Sequence, residues 1–192
     1  MAISDRFTPV RHATRDPDVP GLLDVLHRRG LRYVLVGSAA AAAHGVELRP
    51  ADLDVVPDTE EMNLRRLVEV LRELEAMPLG PFGGWTEIGN GEKKWIPRPT
   101  TEEELTGWMP DVQDISSFDH AYVTRLGNLD VVPEIAGSYE VLLRRASSRT
   151  WNGFEVRLAH VDDLLARLTV PRREKDGPRV AALREIQRGS ES

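Results

Sequence analysis

Asp52 and Asp54 stand two residues apart at the head of the apolar run Val55-Val56. A second run, Leu129-Asp130-Val131-Val132, carries an aspartate in the same setting. Side chains of a strand alternate between its faces, so Asp52 and Asp54 would project side by side. Upstream, Tyr33-Val34-Leu35-Val36 ends in Gly37-Ser38, with thirteen residues between Ser38 and Asp52. An apolar β-branched run closing on Gly-Ser reads as a buried strand that turns into a helix N-terminus. The free backbone N–H groups there suit an anion such as a phosphate. A phosphate cradle beside paired carboxylates is what metal-dependent phosphoryl transfer requires.

The segment Leu53-Asp54-Val55-Val56-Pro57-Asp58 recurs 76 residues later as Leu129-Asp130-Val131-Val132-Pro133-Glu134. The flanks differ, which argues against a duplicated domain. Two strands that each place a carboxylate ahead of a buried run and stop at proline explain the echo better. Neighbours in a sheet lie about 4.8 Å apart, so Asp130 can join Asp52 and Asp54. Three acids this close repel one another unless a cation neutralises them. The chain has no cysteine, so oxygen or imidazole must hold any metal, which favours magnesium. The expected chemistry is in-line attack of a hydroxyl on the α-phosphate of a nucleoside triphosphate (NTP). Two Mg²⁺ ions about 3.5–4 Å apart would stabilise the attacking and leaving oxygens. Asp52 and Asp54 would bridge both ions, and Asp130 would complete the one beside the nucleophile. Gly37 and Ser38 would hold the β- and γ-phosphates. Arg49 suits either a phosphate contact or an ion pair with a nearby acid.

These residues need a sheet and helices to hold them. The expected fold class is α/β (α+β), a small mixed central sheet flanked by helices, with a helical C-terminal part. Asp18 caps a first helix with Pro20 in its first turn, and Leu22, Leu23, Val25 and Leu26 are buried. Gly30 ends it and Leu31–Val36 form a strand. Ser38–Ala43, with five consecutive alanines, is a short helix stopped by Gly45. Leu53–Val56 is the next strand. A helix capped by Asp58 or Thr59 then runs to about Glu75, burying Leu64, Leu67, Val68, Leu71 and Leu74. Met77–Ser117, rich in glycine, proline and tryptophan, reads as an irregular insertion or flap. Its Lys93, Lys94 and Arg98 suit exposed loop charge or a triphosphate clamp. Phe118–Leu126 and Leu129–Ile135 form a hairpin with Gly127-Asn128 at the turn. Helices at Tyr139–Ala146 and Val161–Leu168 flank a strand at Phe154–Leu158, and a last helix ends near Gln187 before a disordered tail. The expected organisation is a core over residues 1–138, with its insertion at 77–117, and a C-terminal part over 139–192 packed on it.

Composition limits the alternatives. At 192 residues, 41% hydrophobic and 29% charged, the chain has the make-up of a globular protein. Its N-terminus lacks the apolar stretch of a signal peptide, and Tyr33–Ala43 is too short to span a bilayer. A cytoplasmic protein without a membrane partner is the expectation. The net charge of −6 argues against a nucleic-acid coat protein. The charge is uneven, with a net of +3 over residues 140–192 and −9 over the remainder. No Gly-x-x-x-x-Gly-Lys segment, zinc-ligand spacing or serine nucleophile elbow occurs.

Gly37-Ser38, Asp52-Leu53-Asp54 and the later Asp130 resemble the minimal nucleotidyltransferases of the DNA-polymerase-β-like superfamily. His44-Gly45, and Arg49 three residues before Asp52, resemble the His-Gly and Arg-x-Thr segment of bacterial members, with Ala51 at the threonine position. The C-terminal part resembles AbiEii-type toxin nucleotidyltransferases through Asp163-Leu164-Leu165 and Arg173-Glu174-Lys175-Asp176, with Leu168 at the position of a family lysine. The resemblance spans residues 31–186 apart from the tryptophan-rich insertion. It implies a nucleotidyltransferase fold and Lys175 and Asp176 as further nucleotide-binding residues. It also implies RNA, such as a tRNA 3′ end, or a protein as acceptor, and an antitoxin partner. A small-molecule acceptor of the aminoglycoside kind, or a degenerate relative that binds without catalysis, are the other readings.

Overall fold

The computed structural model describes residues 17–79, 82–89, 92–98, 100–135, 137–168 and 176–190. Its strands are β1 (Tyr33–Val36), β2 (Leu53–Pro57), β3 (Met77–Pro78), β4 (Gly83–Gly89), β5 (Glu92–Pro97), β6 (His120–Thr124), β7 (Gly127–Val131), β8 (Ser147–Trp151) and β9 (Phe154–Leu158). Its α-helices are α1 (Val19–Arg28), α2 (Gly37–Ala43), α3 (Glu61–Glu73), α4 (Glu102–Leu105), α5 (Tyr139–Leu143), α6 (Val161–Arg167) and α7 (Asp176–Ser190).

Seven strands form one mixed sheet in the order β3-β6-β7-β2-β1-β9-β8. β2 runs parallel to β7 and β1 parallel to β9, while β1–β2, β6–β7, β3–β6 and β8–β9 are antiparallel. This is the expected α/β class, with helices on both faces. Leu35 of β1 meets Leu23 of α1 around one cavity, whereas Val36 meets Leu142 of α5, Leu164 of α6 and Leu183 of α7 around another. α3 joins α1 on the first face through Arg28 and Glu73, 2.9 Å apart. The centre of the sheet is sealed on that face by Leu53, Val55, Leu129 and Val131, all fully buried.

Local signals explain most boundaries. Asp18 Oδ1 accepts from Gly21 N at 3.0 Å, so the α1 cap is the expected one. Gly30, at φ +63°, closes it with Gly30 N–H donating to His27 O. The α3 cap differs from expectation. Glu60 accepts from Met62 N at 3.3 Å, because the Asp58 carboxylate is occupied by Glu60 N at 2.9 Å and by Arg32 at 2.7 Å.

Four other expectations are corrected. The β6–β7 turn is Arg125-Leu126, not Gly127-Asn128, since Thr124 pairs with Gly127. Gly127 takes φ +104° at the start of β7, and a methyl group there would stand 2.5 Å from Pro17 Cα. The 77–117 segment is not irregular throughout: β3 extends the main sheet beyond β6, and β4 and β5 form a separate hairpin. β8 is an added edge strand, joined to β9 by Asn152 and Gly153 at φ +46° and +85°. A two-residue hairpin turn favours positive φ at both residues, hence Asn-Gly. α7 also runs further than expected, through Ser190; the rest of the tail, residues 191–192, lies outside the described residues. Among the described residues no helix is long and apolar enough to cross a membrane.

Candidate active site

β2 and β7 run side by side with Leu53 opposite Leu129, Asp54 opposite Asp130 and Val55 opposite Val131. Burial of the odd-numbered residues sends Asp54 and Asp130 to the other face, where α5–α7 lie. Asp52 sits just before β2 and turns to the same place. Carboxylate oxygens of Asp52, Asp54 and Asp130 all come within 4.8 Å of one another. The sequence-based grouping of these three acids is the grouping that the fold produces.

Gly37 and Ser38 hold the cluster in place. Ser38 Oγ donates to Asp52 Oδ1 at 3.1 Å, and the Ser38 N–H donates to the Asp54 carboxylate. Gly37 has φ +64°, and a Cβ there would lie 2.9 Å from Asp54 Cβ and closer still to its carboxylate. Glycine is thus required twice, for the backbone conformation and for the approach of Asp54. Burial, and then the negative charge of Asp52, push the Asp54 carboxyl up to about 6, while the Ser38 N–H and the Arg179 guanidinium pull the other way.

The donor set fits a hard divalent cation. Three oxygen ligands from carboxylates converge, and their mutual repulsion is relieved when a dication binds. The sign of the pH effect follows. In metal-free protein the Asp54 proton is held more tightly in the folded than in the unfolded chain, so ionisation between about pH 4 and 6 costs folded stability. A metal must displace that proton. The rise in melting temperature caused by magnesium is therefore expected to be full at pH 7.5 and to shrink as pH falls through about 6. Thermal unfolding in EDTA and in magnesium across pH 5–8 measures it, and a pH-independent rise would contradict the assignment.

Two of the remaining candidates, Ser38 and Arg49, line a cavity of about 610 Å³ between the segment that links α2 to β2 and the outer part of α7. Arg179 also lines it, with Leu48, Ala182 and Ile186 as apolar walls. Arg49 is exposed at its edge. Asp176, the first residue of α7, is buried. Lys175 and the preceding Arg173-Glu174 lie outside the described residues. His44 Nε2 lies 2.9 Å from Ala159 O, so it packs the helix end against β9. Arg98 pairs with Glu104 at 2.9 Å and lies over the Phe82 ring, and Trp108 packs on Phe82 and His120, so both serve the local structure of the insertion. The side chains of Lys93 and Lys94 lie outside the described set.

Sequence reasoning missed Arg179. The signal was present, since Arg179 follows Asp176 by three residues and so shares its helix face.

No protein-family profile matches the sequence, and no curated protein does. Among solved structures, the chain is similar to the antibiotic-resistance factor ANT(2'')-Ia, with TM-score 0.49 and 13% identity over 88% of this chain and 80% of that one. It is similar to the lincosamide antibiotic adenylyltransferase LnuA in its lincomycin-bound form, with TM-score 0.49 and 14% identity over 86% and 94%. It is also similar to an antigenic nucleotidyltransferase-like protein from Paracoccidioides brasiliensis, with TM-score 0.48 and 14% identity over 88% and 72%.

Proposed function

We propose that the protein is a metal-dependent nucleotidyltransferase that moves a nucleoside monophosphate from an NTP to a hydroxyl. The observation that carries this reading is the convergence of the Asp52, Asp54 and Asp130 carboxylates beside Gly37-Ser38. Asp52, Asp54 and Asp130 are the residues to hold magnesium, which when bound neutralises charge developing on the α-phosphate and the leaving oxygen. The chain's own part is placement. Ser38 fixes Asp52 through its hydroxyl and Asp54 through its amide, so the carboxylates are oriented before substrate arrives. The nucleotide lies in the cavity of about 610 Å³, a size suited to a ligand of that kind. Gly37, Ser38 and Arg49 are its contacts, and the resemblance to nucleotidyltransferases adds Lys175 and Asp176. As the acceptor oxygen bonds to the α-phosphorus and the bond to pyrophosphate breaks, the hydroxyl proton passes to Asp130.

For the acceptor, the C-terminal resemblance around Asp163 and Asp176 favours an RNA 3′ end or a protein, in a cytoplasmic toxin opposed by an antitoxin. The acidic balance outside residues 140–192 favours a second reading, in which a small cationic hydroxyl compound binds beside the nucleotide. Pyrophosphate release measured with each NTP and magnesium, with total RNA, a protein extract or an aminoglycoside panel added in turn, separates the two. Release stimulated by RNA or protein supports the first, and release stimulated only by a small molecule supports the second. No release with any acceptor, together with magnesium-dependent nucleotide binding, would leave a binding protein without catalysis.

A further inference from the structure

We infer that Arg179 binds the leaving-group end of the nucleotide, the β- and γ-phosphates; this rests on the nucleotidyl-transfer reading. Arg179 lies one turn into α7 and is half-buried. It lines the cavity of about 610 Å³ together with Ser38 and Arg49. It also lines a smaller cavity bounded by Gly37, Asp163 and Leu183. It thus stands at the wall between the two, beside the residues that orient Asp52 and Asp54, and its charge acts on Asp54.

Its hydrogen bonding sets it apart. The Arg179 Nε is buried with no hydrogen-bond partner among the described residues. Buried guanidinium donors are ordinarily satisfied, and an orphan calls for an explanation. The neighbouring Arg145 shows what a structural arginine does here: it bonds Asp162 at 2.5 Å and His160 at 3.1 Å and pairs with Asp163 at 3.2 Å. Arg179 instead carries its planar fork of guanidinium donors at the wall of the cavity in which the phosphates would lie. That fork matches two phosphate oxygens at once. The charge on pyrophosphate grows as it departs, so a fixed cation at this place favours departure as well as binding. A purely structural role would pair Arg179 with Asp163, whose Oδ2 is buried and unpartnered among the described residues on the smaller cavity, or with Asp176 three residues earlier on α7. That role predicts a loss of melting temperature and no selective loss of phosphate affinity.

Calorimetric titration of the full chain with α,β-methylene analogues of the four ribonucleoside triphosphates, in magnesium, distinguishes these outcomes. Arg179→Ala is expected to weaken analogue binding by about ten- to a hundredfold, and Arg179→Lys to restore part of it. Binding of the corresponding nucleoside monophosphate should change by less than about twofold, because α-phosphate contacts remain. Unchanged triphosphate affinity in Arg179→Ala, or an equal loss for the monophosphate, overturns the inference while leaving the function standing. Wild-type protein that binds no triphosphate overturns the function itself, and this inference with it.

Discussion

Asp54→Asn is expected to abolish the proposed nucleotidyl transfer and, in the absence of metal, to make the protein more stable. The first half follows from position. Asp54 is the central acid of the three, opposite Asp130 in register and held by the Ser38 amide. Asparagine keeps the shape but removes a charge and a metal ligand, and a loss of about a thousandfold or more in turnover is expected. The second half follows from the cost of ionising Asp54. Burial and Asp52 raise its carboxyl to about 6, so at pH 7.5 the wild type carries a charge that its surroundings disfavour. Part of that cost is screened, since the side chain is only partly buried. About 1–2 kcal/mol should be recovered, a rise of a few degrees in melting temperature for a chain of this size. The gain should vanish when saturating magnesium compensates the wild-type cluster. Unfolding in EDTA and in magnesium, alongside turnover, checks both halves. A destabilised variant in EDTA would mean that Asp54 is a structural residue rather than a strained functional one.

Gly37→Ala has the next largest expected effect, by a different route. At φ +64° an alanine is strained whatever surrounds it, and here its methyl group also meets Asp54. The expected cost is about 1–3 kcal/mol of stability, with transfer reduced by at least a hundredfold because Asp54 must move. Gly30→Ala is the matched control. Its φ of +63° is nearly the same, but nothing lies within 4 Å of the added methyl group. That variant should lose only about 1 kcal/mol and keep full activity. Denaturant unfolding and turnover of the pair separate backbone strain from displacement of the carboxylate. Equal activity in the two variants would remove Gly37 from the site.

The central strands were legible because each carries a strong alternating signal. Leu53, Val55, Leu129 and Val131 are fully buried, and that periodicity sends Asp54 and Asp130 to one side. β8 was not legible, because Ser147–Trp151 is an edge strand with little apolar surface buried along it. Only the Asn152-Gly153 turn announced it. Gly127-Asn128 misled for the converse reason: glycine there serves a close approach to Pro17, not a turn. The β4–β5 hairpin lay hidden in a segment whose glycines, prolines and tryptophans obscure any period. Arg179 is not legible because it belongs to no motif of its own, and its relation to Asp54 arises only when α7 folds back over the sheet.

The most direct measurement uses one nucleotide with two labels. The protein is incubated with magnesium, NTP carrying ³²P at either the α- or the γ-phosphate, and total RNA, a protein extract or an aminoglycoside panel as acceptor. Nucleotidyl transfer puts the α-label on the acceptor and leaves the γ-label in pyrophosphate. Arrival of the γ-label on the acceptor would make the protein a phosphotransferase, and failure of either label to transfer from any of the four nucleotides would contradict the central claim.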